Sequence, residues 1–333
     1  MVRRVSARFF AWAPALGNRR MLACLLTGFS SGLPLYVTLN TLQAWLHDSG
    51  VSLHDIGLFN LTGLPYTWKF LWAPFLDRYR LPFLGRRRGW ALVTQVVLMC
   101  AIGSFGWLNP QRSVSAVALL AIAVAFFSAT QDVVLDAYKR ELLPDHELGL
   151  GNAVYVNAYR ASALIPGSLA LILADHLPWP WVFVSVAAFM LVGIITSLCL
   201  AEGATEVEPP PTLAEAVIGP FREFFARQDR MTAATVLLFM FLYKFGDTLA
   251  AALLTPFYLD LGFSKTVIGT IAKGVVLPAT LLGALAGGVS ITRIGINRAL
   301  WLFGILQLVS TLGFALLASI GPDTVALALV VAF

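Results

Sequence analysis

Seven charged residues stand inside otherwise apolar runs of this 333-residue chain, and their types suit two kinds of chemistry. Asp132, Asp136 and Asp247 are carboxylates that can take up and release a proton when burial disfavours their charge. Lys69, Arg160, Lys244 and Lys273 are cations able to hold an anion. In the stretch FFSATQDVVLDAYKREL (126–142), Asp132 and Asp136 are four apart and share a helical face, with Gln131 beside them. At about 1.5 Å per residue, Asp136 lies ~4 Å and Asp132 ~10 Å deeper than Lys139. Arg160 enters the next apolar run by a similar depth, so an ion pair with either aspartate is geometrically allowed. Two readings stay open. The carboxylates neutralise Arg160 and tie two helices together, or Asp132 reaches a cavity, where it hydrogen-bonds a ligand with Gln131 or carries a proton. Lys244 and Asp247, three apart, can pair with each other. Lys69 and Lys273 have no acid at such spacing and are the better candidates to meet an anionic ligand. Tyr36, Asn40, Gln43, Trp68, Tyr155, Asn157 and Tyr159 can add hydroxyl, amide and aromatic contacts, although packing or anchoring at a lipid interface explains each equally well.

The elements that must position these groups are membrane spans. The chain is 58% hydrophobic and only 12% charged, whereas soluble domains carry roughly 25% charged residues. Apolar runs at 21–45, 55–77, 89–108, 114–138, 151–174, 180–200, 231–257, 266–291 and 299–319 each approach the ~20 residues that cross hydrocarbon as a helix. A further run begins near Thr324 and reaches only Phe333, so the second half is expected to be incomplete. The predicted fold class is all-α and polytopic.

Basic residues mark the orientation. Of 23 Lys and Arg, only Arg112 and Lys265 lie in one set of alternate connections, and Lys69, Arg160, Lys244 and Lys273 lie within spans. The rest occupy the N-terminus and every second connection, which places the N-terminus in the cytoplasm. The net charge of +5 is therefore a property of one membrane face rather than a nucleic-acid footprint. The basic residues 1–20 lead into a run longer than a signal-peptide core, with no small-residue cleavage site after it, so the first span is retained. The three cysteines, Cys24, Cys100 and Cys199, fall in spans without metal-ligand spacing and are expected to pack as small side chains. The four histidines, His47, His54, His146 and His176, form no metal-binding pair either.

Four regions follow: a basic N-terminus (1–20), a six-helix bundle (21–200), a linker (201–230) and the start of a second bundle (231–333). The linker opens with the proline-rich AEGATEVEPPPT. It continues with Thr212 and Glu215 in a capping-box pattern and with Leu213, Val217, Phe221 and Phe224 on one helical face, predicting a short interfacial helix. A repeat links the halves. In LHDSGVSLHDIG (46–57) and YLDLGFSKTVIG (258–269), Gly50, Ser52, Ile56 and Gly57 fall on Gly262, Ser264, Ile268 and Gly269, each pair at the first outward connection of its half. Six spans lie between the copies, so the halves point the same way, a parallel repeat of the kind that builds major facilitator transporters.

Between spans two and three, FLWAPFLDRYRLPFLGRRRGW (70–90) places Asp77 and Arg78 at a helix end and closes on Gly85, Arg86, Arg87 and Arg88. This resembles the loop motif of the major facilitator superfamily. Asp77 is expected to meet a helix N-terminus or a basic partner in one access state and release it in the other. The three arginines are equally readable as a positive anchor at the membrane face. Together with FSSGLPLYVTLNTLQAWL (29–46) and the stretch at 126–142, the loop resembles the AmpG family of inner-membrane permeases. The resemblance implies two six-helix halves around a central cavity and import of anhydromuropeptides for cell-wall recycling and, through it, β-lactamase induction. It implies a monomer in the lipid bilayer with no cofactor.

Energetics favours protons as the driving partner. Moving an anion into a negative cytoplasm costs about 2.3 kcal/mol per charge per 100 mV, which proton symport offsets. No G-x-x-x-x-G-K-[ST] loop is present to support direct use of ATP. TGLPY in span two and GALAGG (283–288) read as a kink and as a close helix contact that permit rocking. Alternatives of the same fold are carriers of another sugar, peptide or coenzyme A thioester. A membrane-embedded enzyme is the alternative of another class, and it lacks a nucleophile or metal constellation at one face.

Overall fold

A computed structural model describes residues 18–199, 212–226, 229–263 and 277–320. The chain divides into two compact units, Met1–Val217 and Ile218–Phe333. Among the described residues six helices are long and apolar enough to cross a membrane: Arg19–Asp48, Arg86–Trp107, Val114–Leu142, Leu148–Ala174, Trp179–Cys199 and Ile296–Ser319. The first five are spans one, three, four, five and six of the sequence reading, and the last is span nine.

Span two is the exception to the expected continuous helix. It is assembled from short pieces, Leu53–Leu58, Phe59–Gly63, Leu64–Trp68, Lys69–Leu71 and Ala73–Arg78, with the second and fourth wound as tight 3-10 turns. Pro65 and Pro74 each sit in the first turn of the piece they open. There the missing N–H costs nothing, but proline obliges the previous piece to end. The expected kink at TGLPY is therefore one of several breaks.

Local chemistry sets the other boundaries. Asn18 Oδ1 accepts from the Arg20 amide at 3.3 Å to start span one, and Ser113 Oγ accepts from the Ala116 amide at 3.3 Å to start span four. Span four ends at Leu142, two residues before Pro144. Spans one and five each contain a π turn, Val37–Thr41 and Ile165–Leu169, and Thr41 Oγ1 donates to the Pro166 carbonyl at 2.8 Å where the two turns meet. At the far end of span one, Trp179 Nε1 donates to Asp48 Oδ2 at 2.7 Å and Gln111 Nε2 to the Ser49 carbonyl at 2.8 Å.

The first unit's core is drawn mainly from spans one, three, four and six, with Leu33, Leu98, Ile102, Val124, Phe183 and Met190 fully buried and Phe59 of span two and Ala170 of span five joining them. Trp45, Phe105 and Phe183 meet at its centre, with Trp45 and Phe183 ring centroids 5.2 Å apart. Lipid tails are as apolar as these side chains, so close packing and hydrogen bonds, rather than removal of apolar surface from water, hold such helices together. Gly28 and Gly32 show the consequence. A Cβ on Gly28 would strike the Tyr155 carbonyl, and one on Gly32 the Tyr159 carbonyl, so span five lies directly on span one. Outward-facing Leu119, Ile122, Phe126, Ile172, Trp181 and Ile195 remain exposed, as lipid-facing residues must be.

The predicted surface helix forms over Leu213–Ala226, with Thr212 Oγ1 accepting from the Glu215 amide at 3.0 Å. Asp229 caps the helix Arg230–Asp260 by accepting from the Thr232 amide at 3.1 Å, and hydrogen bonding from the Thr232 side chain and then its amide holds the carboxyl below the usual carboxylate range. In the second unit the glycines of GALAGG differ in their contacts among the described residues. A Cβ on Gly287 would reach the Phe303 ring at 3.9 Å, but one on Gly283 would meet nothing within 4 Å among the described residues. Of the cysteines only Cys24 is buried. Cys100 and Cys199 are exposed on their helices, which corrects their expected packing role.

Candidate functional site

Span four carries the site because its uninterrupted helix, Val114–Leu142, buries Ser128, Gln131, Asp132 and Leu135 while Asp136 is exposed. Two neighbouring serines of span one meet it in register. Gln131 Nε2 donates to the Ser30 carbonyl at 2.9 Å and to Ser30 Oγ at 3.4 Å. Ser31 Oγ donates to Asp132 Oδ1. The close seating of span five on Gly28 and Gly32 of span one flanks this contact with Tyr155 and Tyr159. Gln131 Oε1 is buried and accepts no hydrogen bond among the described residues.

The second oxygen of Asp132 faces Lys69, whose Nζ lies 4.0 Å from Oδ2. The Asp132 side chain is 11% exposed and the Lys69 side chain 36%. Lys69 occupies the 3-10 turn Lys69–Leu71, and the break in span two is what turns it toward span four. Trp72, three residues on, anchors that turn: its Nε1 donates to Thr130 Oγ1 at 3.0 Å and its ring lies 4.8 Å from Phe126. Lys69, which has no acid at local spacing along its own span, thus meets one on span four, a contact that spacing along the chain does not report.

The geometrically allowed pairing of an aspartate with Arg160 does not form. Asp136 is exposed and pairs with Lys139 at 2.9 Å, one turn along its own helix. Asp132 pairs with Lys69 instead, and Arg160 has no carboxylate within 4.0 Å among the described residues. Equal depth in the membrane was a sound inference, but the azimuth of Arg160 on span five was unknown. Lys139, counted as a plain cytoplasmic charge, is held by three groups. Besides Asp136, its Nζ meets Asn152 Oδ1 at 2.9 Å and sits over the Tyr155 ring, 4.1 Å from its centroid.

Tyr36 and Tyr159 meet edge to face with centroids 6.0 Å apart, and Asn40 lies over Gly167 in the π turn of span five. Tyr155 is buried, whereas Gln43, Asn157 and Tyr159 are half-buried. Lys273 lies outside the described residues, and so do the side chains of Lys244 and Asp247.

A second constellation sits at the basic loop. Gly85 has φ +82°, a left-handed conformation that favours glycine, and this turn opens span three with Arg86 and Arg87 directed inward. Both are buried. Arg86 Nη2 donates to Glu141 Oε1 at 2.6 Å, and Arg87 divides between Glu141 Oε1 at 3.0 Å and Asp77 Oδ1 at 2.7 Å. Arg88 donates to the Ser197 and Leu198 carbonyls at 2.9 and 2.7 Å, satisfying the end of span six. Arg78 lies 5.9 Å from the Tyr79 ring centre. Arg86 and Arg87, read as an anchor at the membrane face or as part of the loop motif, cross-link spans two, three and four.

Sequence reasoning missed Ser30, Ser31, Gln95 and Glu141. Gln95, fully buried in span three, meets Ser197 Oγ of span six at 2.8 Å. A lone amide inside an apolar run and an acid within a basic loop face were available signals.

The fold and these sites define a membrane transporter class. The family model of the Major Facilitator Superfamily matches residues 12–333, and the chain belongs to that superfamily. It is 48% identical over 307 residues to an uncharacterized protein of Haemophilus influenzae, covering 91% of this chain and 72% of the relative. It is 44% identical over 301 residues to the anhydromuropeptide permease of Escherichia coli K12, covering 90% of this chain and 61% of that protein. A Rickettsia felis transporter designated AmpG 4 is 32% identical over 305 residues, 89% of this chain and 73% of its own length. The chain thus spans about three-fifths to three-quarters of these relatives.

Proposed function

We propose that this protein imports anhydromuropeptides from periplasm to cytoplasm by proton symport, supplying cell-wall recycling and, through it, β-lactamase induction. Similarity to the Escherichia coli permease supports the cargo. The observation that carries the mechanism is Asp132, a carboxylate buried in span four and faced by Ser31 and Lys69. A carboxylate so placed is costly to keep charged and well suited to bind a proton. The protein resides in the bacterial inner membrane as a monomer with its N-terminus in the cytoplasm, which the basic bias of alternate connections supports. Residues 21–200 act as one six-helix bundle, 201–230 as a linker with an interfacial helix, and 231–333 as part of a second bundle.

In this reading Lys69, Arg160, Lys244 and Lys273 attract the peptide carboxylates of the cargo. Gln131, with an open acceptor, takes hydroxyl or amide donors, helped by Asn40, Gln43, Asn157, Tyr36, Tyr155 and Tyr159. Asp132 carries the proton, and Asp136 and Asp247 are next in line. The loop formed by Asp77, Arg78, Gly85, Arg86, Arg87 and Arg88 holds spans two, three and four in one access state and loosens in the other. The test is uptake of labelled anhydromuropeptide into right-side-out vesicles. Accumulation above the outside concentration is expected with an inward proton gradient, and only equilibration without one. Gradient-independent accumulation, or none of this cargo, contradicts the reading.

A further inference from the structure

The Lys69 ammonium sits at the edge of a buried carboxylate, yet more than a third of its side chain is open, while Asp132 is almost closed off. The two partners are thus unequally accessible. An anion can approach Lys69 from its open side, and Asp132 can approach only from within. The 4.0 Å separation is at the long limit of an ion pair, so Lys69 is not locked to its partner. Asp132 does not depend on Lys69 for all its hydrogen bonding, since Ser31 donates to its other oxygen. The remaining titratable or charged groups around Asp132 are Tyr66 of span two, Tyr155 and Tyr159 of span five, and Asp136 and Lys139 of its own helix. Asp136 and Lys139 neutralise each other at 2.9 Å. Among the described residues Lys69 is the cation left to balance Asp132.

We propose that Lys69 is shared by exchange: a cargo carboxylate takes Lys69 only when Asp132 has taken a proton, and loss of that proton returns Lys69 to Asp132 and expels the cargo anion. This deepens the importer reading and rests on it. In the exchange one proton joins an Asp132 carboxylate oxygen and one cargo carboxylate replaces Asp132 beside the ammonium, so the charge at the site is unchanged. If both carboxylates were ionised around one lysine, the site would hold an excess negative charge in a poorly solvated setting, which is strongly disfavoured. Such a site couples proton and cargo without a separate relay and selects acidic over neutral cargo. Protonation releases Lys69, so anion affinity is high at low pH and falls as pH rises.

Equilibrium binding to the intact purified protein tests the exchange with two probes, a labelled anhydromuropeptide bearing a tripeptide and the same molecule with its carboxylates amidated. Cargo carboxylates, near ordinary values of about 4, remain ionised between pH 5.5 and 8.0. Wild-type protein should bind the acidic probe about tenfold or more tightly at pH 5.5 than at 8.0, a coupling of ordinary size. The amidated probe should show no such dependence. Asp132→Asn should bind the acidic probe at pH 8.0 as tightly as wild type does at 5.5. Lys69→Met should bind it weakly at both pH values while retaining the amidated probe, and Lys69→Arg should restore the wild-type profile. A wild-type pH profile preserved in Asp132→Asn or in Lys69→Met overturns the exchange. Equal wild-type binding of both probes at both pH values overturns it while leaving the importer reading standing. Failure to bind either probe defeats the cargo reading and the exchange with it.

Discussion

Asp77 and Glu141, which belong to spans two and four, are joined through a single guanidinium: Arg87 reaches Asp77 Oδ1 at 2.7 Å and Glu141 Oε1 at 3.0 Å. Glu141 also holds Arg86 at 2.6 Å, and the side chains of both arginines are 8% exposed. The two acids are unequal, since the Asp77 side chain is 41% exposed and that of Glu141 12%. Glu141→Gln should therefore strand the buried Arg86 and leave Arg87 to Asp77, at a cost of about 3–5 kcal/mol. Asp77→Asn should cost about 1 kcal/mol or less, in the range of exposed pairs. Thermal unfolding in detergent compares the two, and a larger loss for Asp77→Asn would refute this ranking.

Asp136 lies outside the buried site and pairs at the surface with Lys139. Asp136→Asn should change stability by less than about 1 kcal/mol and leave proton-driven uptake intact. Loss of uptake in a well-folded Asp136→Asn protein would instead assign it a share of proton transfer.

The contact between spans one and five is intolerant of volume. A Cβ at position 32 would collide with the Tyr159 carbonyl and approach Ser162 Oγ to 2.6 Å. Gly32→Ala should destabilise the protein by about 1–3 kcal/mol through overpacking. It should also impair uptake, because it pushes Tyr159 away from the span that carries Ser31. At Gly283, where nothing among the described residues lies within 4 Å, alanine should be neutral or mildly stabilising. Unfolding midpoints that fail to separate the two alanine variants would contradict the packing account.

Orientation is checked by cysteine labelling in intact cells. Position 80, in the basic loop, should be shielded from an impermeant reagent until the membrane is opened, whereas position 48 should react from outside. The opposite pattern would reverse the direction proposed for transport.

Much of this was legible in the chain. Long apolar runs and the alternation of basic connections announced a polytopic helical protein, because hydrocarbon permits few other solutions. The stretch at 126–142 and the loop at 70–90 marked the right segments. The partners were harder to read. Asp132 was matched to Arg160 by depth, but depth does not fix the rotation of a helix about its axis, and Lys69 was reached only through breaks that turn span two. Arg86 and Arg87 resembled an anchor because the charge rule describes where basic residues are retained and not what they bond. Glu141 drew no notice because an acid near a membrane face is ordinary unless its arginine partners are known to point inward.

The central claim is that Asp132 carries the proton. Its direct test compares gradient-driven accumulation with downhill counterflow of labelled anhydromuropeptide in vesicles bearing the intact protein or Asp132→Asn. The amide keeps hydrogen bonding and removes titration, so Asp132→Asn should exchange cargo across the membrane yet fail to concentrate it under an inward proton gradient. Concentration by Asp132→Asn at the wild-type level would place the proton site elsewhere and contradict the account.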